Sequence, residues 1–396
     1  MFKSNISFAE EQFLSYLHKT GKYYEANRNY SEDSSNNSTT SLLSPFIRYR
    51  LISEEQILEK VLKKYELREC EKFIQEVYWR TYWKGWLEHR PSVYSDYLED
   101  RNKLIEQFSN KKFYLNAISG NTNLSFFNNW INNLKENGYL HNHVRMWFAS
   151  IWVFTLKLPM ELGADFFMLH LIDADAASNT LSWRWVSGLH TKGKAYAARA
   201  SNIEKFTDGR FNPSGQLIED IEPLTENINH PFVPLVDLEQ FKDEDAILLI
   251  TEEDCSPETT IREDNLEVEI VPLYRKKKFP EWIEPLDSVR SFSNTAVQNS
   301  AQRLGCKNLK PVEDTNWTEI ILDASDKLGT KNIITPKIPV GAVKSEFRKI
   351  KKNLAEHDIY INEHYRDYDK YTWQYASKGF FKLKKQIPNI LYQLGL

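Results

Sequence analysis

The sequence predicts a mainly α protein, with an all-helical domain over residues 1–221, a linker at 222–242 and a smaller α/β domain over 243–396. Three observations carry this reading. Apolar residues recur at three- and four-residue spacing through most of the first 188 residues, the pattern of helices that bury one face. Pro223, Pro231 and Pro234 then crowd one short stretch, with acidic Asp237, Glu239 and Asp243 beside them. After it, short apolar runs alternate with helical patterns, which implies a parallel sheet of Rossmann-like type.

Taken in order, residues 6–24 carry an amphipathic helix with Ile6, Phe13, Leu14 and Leu17 on its apolar side. Ser31 to Thr40 (SEDSSNNSTT) has no apolar face and reads as a surface loop. Helical periodicity runs from Glu54 to Glu88 and stops at Arg90–Pro91, since proline cannot continue a helix. A helix over Phe126–Glu136 closes at Asn137–Gly138, where glycine tolerates the left-handed turn of a helix end. Further helices are expected at 140–156, 161–173 and 174–188. Beyond the prolines, Ala246–Thr251, Val268–Leu273, Asn332–Thr335 and Ile359–Ile361 read as strands. Leu286–Leu304, Trp317–Leu328 and Ala342–Glu356 read as the helices among them, and SKGFFKLKKQIPNIL as loop and helix of the same domain. No GxGxxG or GxxxxGKS/T run occurs, so nothing supports a dinucleotide or P-loop site there.

Composition bounds the function. A chain of 396 residues exceeds one ordinary core and suits two or three domains. The net charge of −4 excludes a chain that is basic throughout, leaving local patches for any polyanion. Cys70, Cys255 and Cys306 form no CxxC pair, so no metal or iron–sulfur cluster is expected. That sparse count suits a reducing compartment. Residues 1–11 hold no apolar signal core, and the longest apolar run, Met146–Leu156, is shorter than the ~20 residues that span a bilayer. The expectation is a soluble cytoplasmic protein. The 11 Trp, 20 Tyr and 22 Phe suit rings packed on each other or on a flat cofactor.

Four clusters could carry chemistry. Thr40, Ser41, Leu42, Leu43 and Ser44 precede Pro45; hydroxyls before Ser-Pro suit a helix start that attracts phosphate, or a plain N-cap. In Phe73–Leu87 (FIQEVYWRTYWKGWL), Glu76 and Arg80 share a helix face, and Trp79, Trp83 and Trp86 form a stripe that is core or site. In NGYLHNHVRM, Asn142 and Arg145 share a face, and a buried Arg145 needs an anion. In LIDADAASNTLSWRW, Asp173 is the natural partner for Arg145, while the DxD of Asp173 and Asp175 gathers no further metal ligands.

In this order, the segments TSLLSPF, EVYWR, GYLHNHVRM and LIDADAASNTLSWRW resemble the FAD-binding domain of the photolyase/cryptochrome family, over roughly Tyr23 to Pro213. The resemblance implies FAD bound in a bent form. Tyr24 and Thr40–Ser44 would line its diphosphate; Phe73, Glu76 and Arg80 would flank it; Tyr139 and Asn142 would contact it. Arg145 and Asp173 would pair beside the isoalloxazine, Asp175 would accept from flavin N3–H, and Asn179 would face N5. The protein's part is then to tune the flavin while the flavin does the chemistry. Glu76, Trp79, Met146 and Trp185 would line a pocket for a pyrimidine dimer flipped out of DNA. All four keep the types of cyclobutane-dimer photolyases, and HNHVRM lacks the adjacent His pair of the (6-4) pattern. Trp183 matches the flavin-proximal tryptophan of electron transfer.

Three departures pull the other way. The α/β domain follows the helical one instead of preceding it. Met160 stands where the family usually has the middle tryptophan, leaving an outer relay through Trp152, Trp147 or Trp185. Thr122–Leu134 (TNLSFFNNWINNL) lacks the basic and small residues of the family's DNA-contacting helix, and Lys192, Lys194, Arg199, Lys205 and Arg210 could supply a basic rim instead. Two functions follow: light-driven repair of cyclobutane pyrimidine dimers by an electron from reduced flavin, with damaged DNA as partner, or a cryptochrome-like blue-light sensor with a protein partner or a homodimer. The sequence names no antenna pigment.

Overall fold

The computed structural model describes residues 2–31, 39–238, 245–259, 268–281, 283–307 and 309–396. Most of the SEDSSNNSTT stretch and the acidic Glu239 and Asp243 lie outside them. The chain is mainly helical with one small parallel sheet.

Local chemistry explains where the helices break. The expected N-terminal helix is two, Ile6–Tyr16 and Lys22–Asn27, joined by a 3-10 turn; Gly21 sits between them because the Tyr65 ring would lie 3.1 Å from a Cβ there. The periodic stretch 54–88 is likewise two helices. Glu54–Leu62 starts on a capping box, with Ser53 Oγ accepting from Gln56 N and Gln56 Oε1 from Ser53 N. Leu67–Glu88 starts on a second such box at Glu66 and Glu69. Ser92–Phe108 and Lys112–Ser119, which the periodicity reading does not name, fill the gap before Ser125–Asn137. Asn142–Ser150 ends in a π turn over Ile151–Thr155, then come Met160–His170 and Ala176–Ser187.

Four strands, β1 (Ala246–Ile250), β2 (Val268–Pro272), β3 (Asn332–Pro336) and β4 (Tyr360–His364), lie in the order β2-β1-β3-β4, all parallel. Every residue of β1 is buried, as expected of a central strand covered on both faces. Ile247, Leu249 and Ile333 pack under Trp317–Leu328 and Ala342–Ala355. Leu248, Ile250 and Ile334 instead join the large core of the helical half, through Asp287–Arg303, whose Phe292 meets Tyr49 at 5.2 Å. The two halves thus share one apolar core.

The connections leaving β1 and β3 diverge to opposite sides of the sheet, and the residues at the carboxyl ends of these strands are buried. That end faces the helical half. The last helices, Asp367–Trp373, Phe380–Lys384 and Ile387–Gln393, do not pack on the sheet. They return to Leu67–Glu88: Tyr368 hydroxyl meets Thr81 Oγ1 at 2.9 Å, and Gly85 leaves room for Trp373 and Ala376, since a Cβ there would sit 2.8 Å from Ala376.

Candidate functional site

The loop between Met160–His170 and Ala176–Ser187 organises the site. Asp175 Oδ1 caps the second helix by accepting from Ser178 N at 2.7 Å, which fixes the carboxylate. Two residues earlier, Asp173 Oδ2 accepts from Arg145 Nη2 at 2.9 Å, while Arg145 Nε donates to Leu140 O at 2.8 Å. The guanidinium lies 5.1 Å from the Tyr139 ring, a cation–π contact that holds it flat. Asn142 opens its helix as an exposed residue. Asn179 is buried and spends its amide N–H on Ala164 O at 2.8 Å, which leaves its carbonyl oxygen to accept. Trp183 fits against Gly163 so closely that a Cβ would lie 2.3 Å from its ring.

Asp175 also anchors a buried ionic cluster. Its Oδ2 lies 3.5, 3.8 and 3.9 Å from Arg80, Lys84 and Arg48. Burial alone would raise this carboxyl, but those three cations hold it well below the ordinary carboxylate range. The opposing acids come from the end of β1. Arg48 Nη2 bonds Glu253 Oε1 at 2.9 Å, and Arg275 Nη2 bonds Glu252 Oε1 at 2.7 Å. Against the penalty of burial, Arg275 and its neighbouring cations pull Glu252 down to about 2. Arg50, at φ 51, reaches Asp369 at 2.6 Å and Asp254 at 3.2 Å, and Arg366 grips Asp254 at 2.6 Å.

The segment expected to cradle phosphate lies on the other side of Phe73. Tyr24 meets the Phe73 ring edge-on at 5.2 Å, Leu42 takes φ 54, and Ser41 O accepts from Gln12 Nε2 at 3.0 Å. Leu43 is buried, and Ser44 and Pro45 open a helix of only five residues, Ser44–Arg48. The Phe46 and Ile47 N–H groups already bond Leu43 O, so this helix start offers fewer free donors than the sequence reading supposed. Thr40 hydrogen-bonds Tyr139 through their side chains.

The residues expected to line a lesion pocket are occupied by the protein itself. Glu76 pairs with Arg28, and burial pushes its carboxyl up despite that partner. Trp79 stacks on Phe380, 3.7 Å between centroids and 12° between planes. A sequence window around Trp79 cannot reveal a ring supplied from 301 positions later. Trp185 stacks on Tyr196 at 5.6 Å, and Met146 is half-buried. Met160 is buried at the start of its helix. Trp183 meets Trp152 edge-on at 6.4 Å, and Trp152 meets Tyr114 at 6.2 Å. Trp147 lies on a different path, stacked with Trp130 at 5.9 Å. The helix Ser125–Asn137 buries Phe126, Phe127, Trp130, Ile131 and Leu134, and Lys192, Lys194 and Arg199 are exposed.

Among the buried side-chain atoms without a hydrogen-bond partner are Asp173 Oδ1, Trp183 Nε1 and Ser178 Oγ. An unpaired buried polar atom costs about 1–3 kcal/mol, so a ligand that bonded Asp173 Oδ1 here would recover that cost. Burial, helped by His143 and Arg145, drives His141 down to about 3, which keeps it neutral at pH 7. Acceptor, donors and flat aromatic walls together fit a cofactor with a polar-edged ring such as flavin. Among the described residues no group of three or more His, Cys, Asp or Glu could hold a metal ion, and no helix is long and apolar enough to cross a membrane.

Sequence reasoning missed Arg28, Arg48, Arg50, Lys84, Glu252, Glu253 and Phe380. One signal was available: three consecutive acids, Glu252–Asp254, directly after a fully apolar strand need buried cations.

Residues 73–245 match the family described as the FAD binding domain of DNA photolyase. A deoxyribodipyrimidine photo-lyase of Buchnera aphidicola is 30% identical over 185 residues, 44% of this chain and 38% of that protein. A cryptochrome DASH of Idiomarina loihiensis is 29% identical over 203 residues, 50% of this chain and 43% of that protein. Of solved structures, a class III photolyase from Agrobacterium tumefaciens is 24% identical and covers 51% of this chain and 42% of its own, with a TM-score of 0.43. The chain spans about two fifths of the length of the curated relatives it matches. Over residues 73–245 the chain is similar to the FAD-binding domain of the photolyase/cryptochrome family.

Proposed function

We propose that the protein is an FAD flavoprotein that repairs cyclobutane pyrimidine dimers in DNA with light. The observation that carries this reading is the paired Arg145–Asp173 beside Asp175 and Asn179, inside the matched FAD-binding segment. FAD, when bound, supplies light absorption and a transferable electron. The rest is the protein's own work. Arg145 and Asp173 orient the polar edge of the site, Asn179 offers a neutral carbonyl acceptor, and the ionic cluster holds Asp175 deprotonated. Tyr24, Phe73 and the Thr40–Ser44 segment wall the remainder of the cofactor. Trp183, Trp152 and Tyr114 form a ring series along which an electron can reach the flavin in place of a route through Met160. Damaged DNA is the partner in this reading, and the four-stranded sheet is read as Rossmann-like.

One observation favours the sensor reading: Phe380 covers Trp79, so a flipped base reaches that ring only after the C-terminal segment moves. Chemically reduced protein illuminated with an oligonucleotide bearing one thymine dimer decides between them. Light-dependent recovery of thymines supports repair. FAD bound and reducible without recovery supports the sensor.

A further inference from the structure

We propose that the C-terminal segment around Phe380–Lys384 is a polynucleotide contact, in which Phe381 stacks on an exposed base while Lys378, Lys382 and Lys385 hold the phosphates. The inference goes beyond the flavin site and rests on the repair reading only for its biological meaning.

Phe380 and Phe381 point in opposite directions. Phe380 is 3% exposed and pins the segment to Trp79 and Tyr82, whereas its neighbour Phe381 is 71% exposed. Lys378, Lys382 and Lys385 are all exposed; Lys382 adjoins Phe381, and Lys378 and Lys385 lie three residues before it and four after it, which puts three cations within four residues of the exposed ring. Lys384 differs, since it pairs with Glu71 at 3.1 Å. Between Lys370 and Lys385 the segment itself carries no acid; the acid shown paired with it is Glu71, on Lys384.

A second acid-free stretch borders the same aromatic row. His190 packs on Trp83 and Trp86, each at 4.7 Å, one turn along the helix face that carries Trp79 and Tyr82. Exposed Lys192 and Lys194 follow directly; the segment 176–203 carries no acid of its own, and Glu226, paired with Arg184, lies near Lys192. Cations beside an exposed ring are what a flexible polyanion with flat bases requires. An acidic protein or an anionic lipid surface would use the charges but would have no use for a lone, rigidly mounted ring.

The test is fluorescence anisotropy in the dark with a fluorescein-labelled single-stranded oligonucleotide across a salt series. We expect K378Q/K382Q/K385Q to flatten the slope of log affinity against log salt by about 2, at about 0.7 per phosphate contact. F381A is expected to weaken binding about tenfold or more while leaving the slope unchanged. FAD content and melting temperature serve as folding controls, since all four side chains are exposed. Wild-type affinity and slope in the triple variant overturn the proposal. So does binding of poly-glutamate or phosphatidylserine vesicles with no binding of the oligonucleotide. Dark binding that obeys these dependences without any light-driven repair leaves this inference standing and removes the repair reading. Repair with no dark effect of the variants does the reverse.

Discussion

Arg48→Met removes the hub that joins the flavin-site carboxylate to the α/β sheet. Arg48 donates from Nε to Ala174 O at 2.8 Å, and from Nη1 and Nη2 to Glu253 at 3.2 and 2.9 Å, and all of these groups are buried. Methionine fills much of the same volume but leaves the Glu253 carboxylate with Lys84 alone, at 3.4 Å. Breaking a buried pair from one side costs about 3–5 kcal/mol, because the surviving charge has lost its counter-ion and cannot regain water. For domains of this size that is a fall of roughly 6–20 °C in Tm. The assay is thermal and urea unfolding at pH 7, followed by far-ultraviolet circular dichroism. A double variant, R48M/E253L, replaces both charges with apolar groups and should recover most of the loss. A cost below about 1 kcal/mol for R48M, or a double variant no better than the single, would refute the view that this contact is a desolvated pair.

Acid should weaken the same network. Glu252 and Asp175 have folded pKa values below their unfolded ones, so their stabilisation is present above the unfolded value and disappears as pH falls through the folded value. For Glu252, moving from 4.5 to about 2, this is worth about 3 kcal/mol, lost between those two pH values; E252Q should flatten the acid limb of the stability curve. Gly163→Ala should cost about 1–3 kcal/mol in urea unfolding, because its Cβ would lie 2.3 Å from Trp183 and 2.9 Å from Trp152. Trp183→Phe should abolish blue-light reduction of bound FAD, followed as bleaching of oxidised-flavin absorbance; unchanged bleaching would end its role in the relay. Phe380→Ala should uncover Trp79, seen as stronger acrylamide quenching of tryptophan fluorescence, at about 3–5 kcal/mol of stability.

Periodicity located most helices and all four strands, because those patterns reflect burial along a short stretch of chain. It ran the helices together where a capping box restarts one, as at Ser53–Gln56 and Glu66–Glu69, although both boxes are readable as motifs. In the candidate site, the pairing of Arg145 with Asp173 was legible, since a buried guanidinium demands an acid and one lies 28 positions on. The closure of the Trp79 face was not. Stacking has no local signature, and Phe380 sits in a segment whose lysines suggest only a solvated surface.

By itself the sequence determined the helical character of the first half and the strand–helix alternation of the second. These follow from side-chain spacing and chemical type, which are properties of neighbours in the chain. Only the tertiary structure decided that the acids after β1 enter the helical half to meet Arg48 and Arg50, and that the C-terminal helices return to cover Leu67–Glu88. Those contacts join residues 204 and 301 positions apart, and their energy depends on excluding water from both partners at once. No local pattern records that condition.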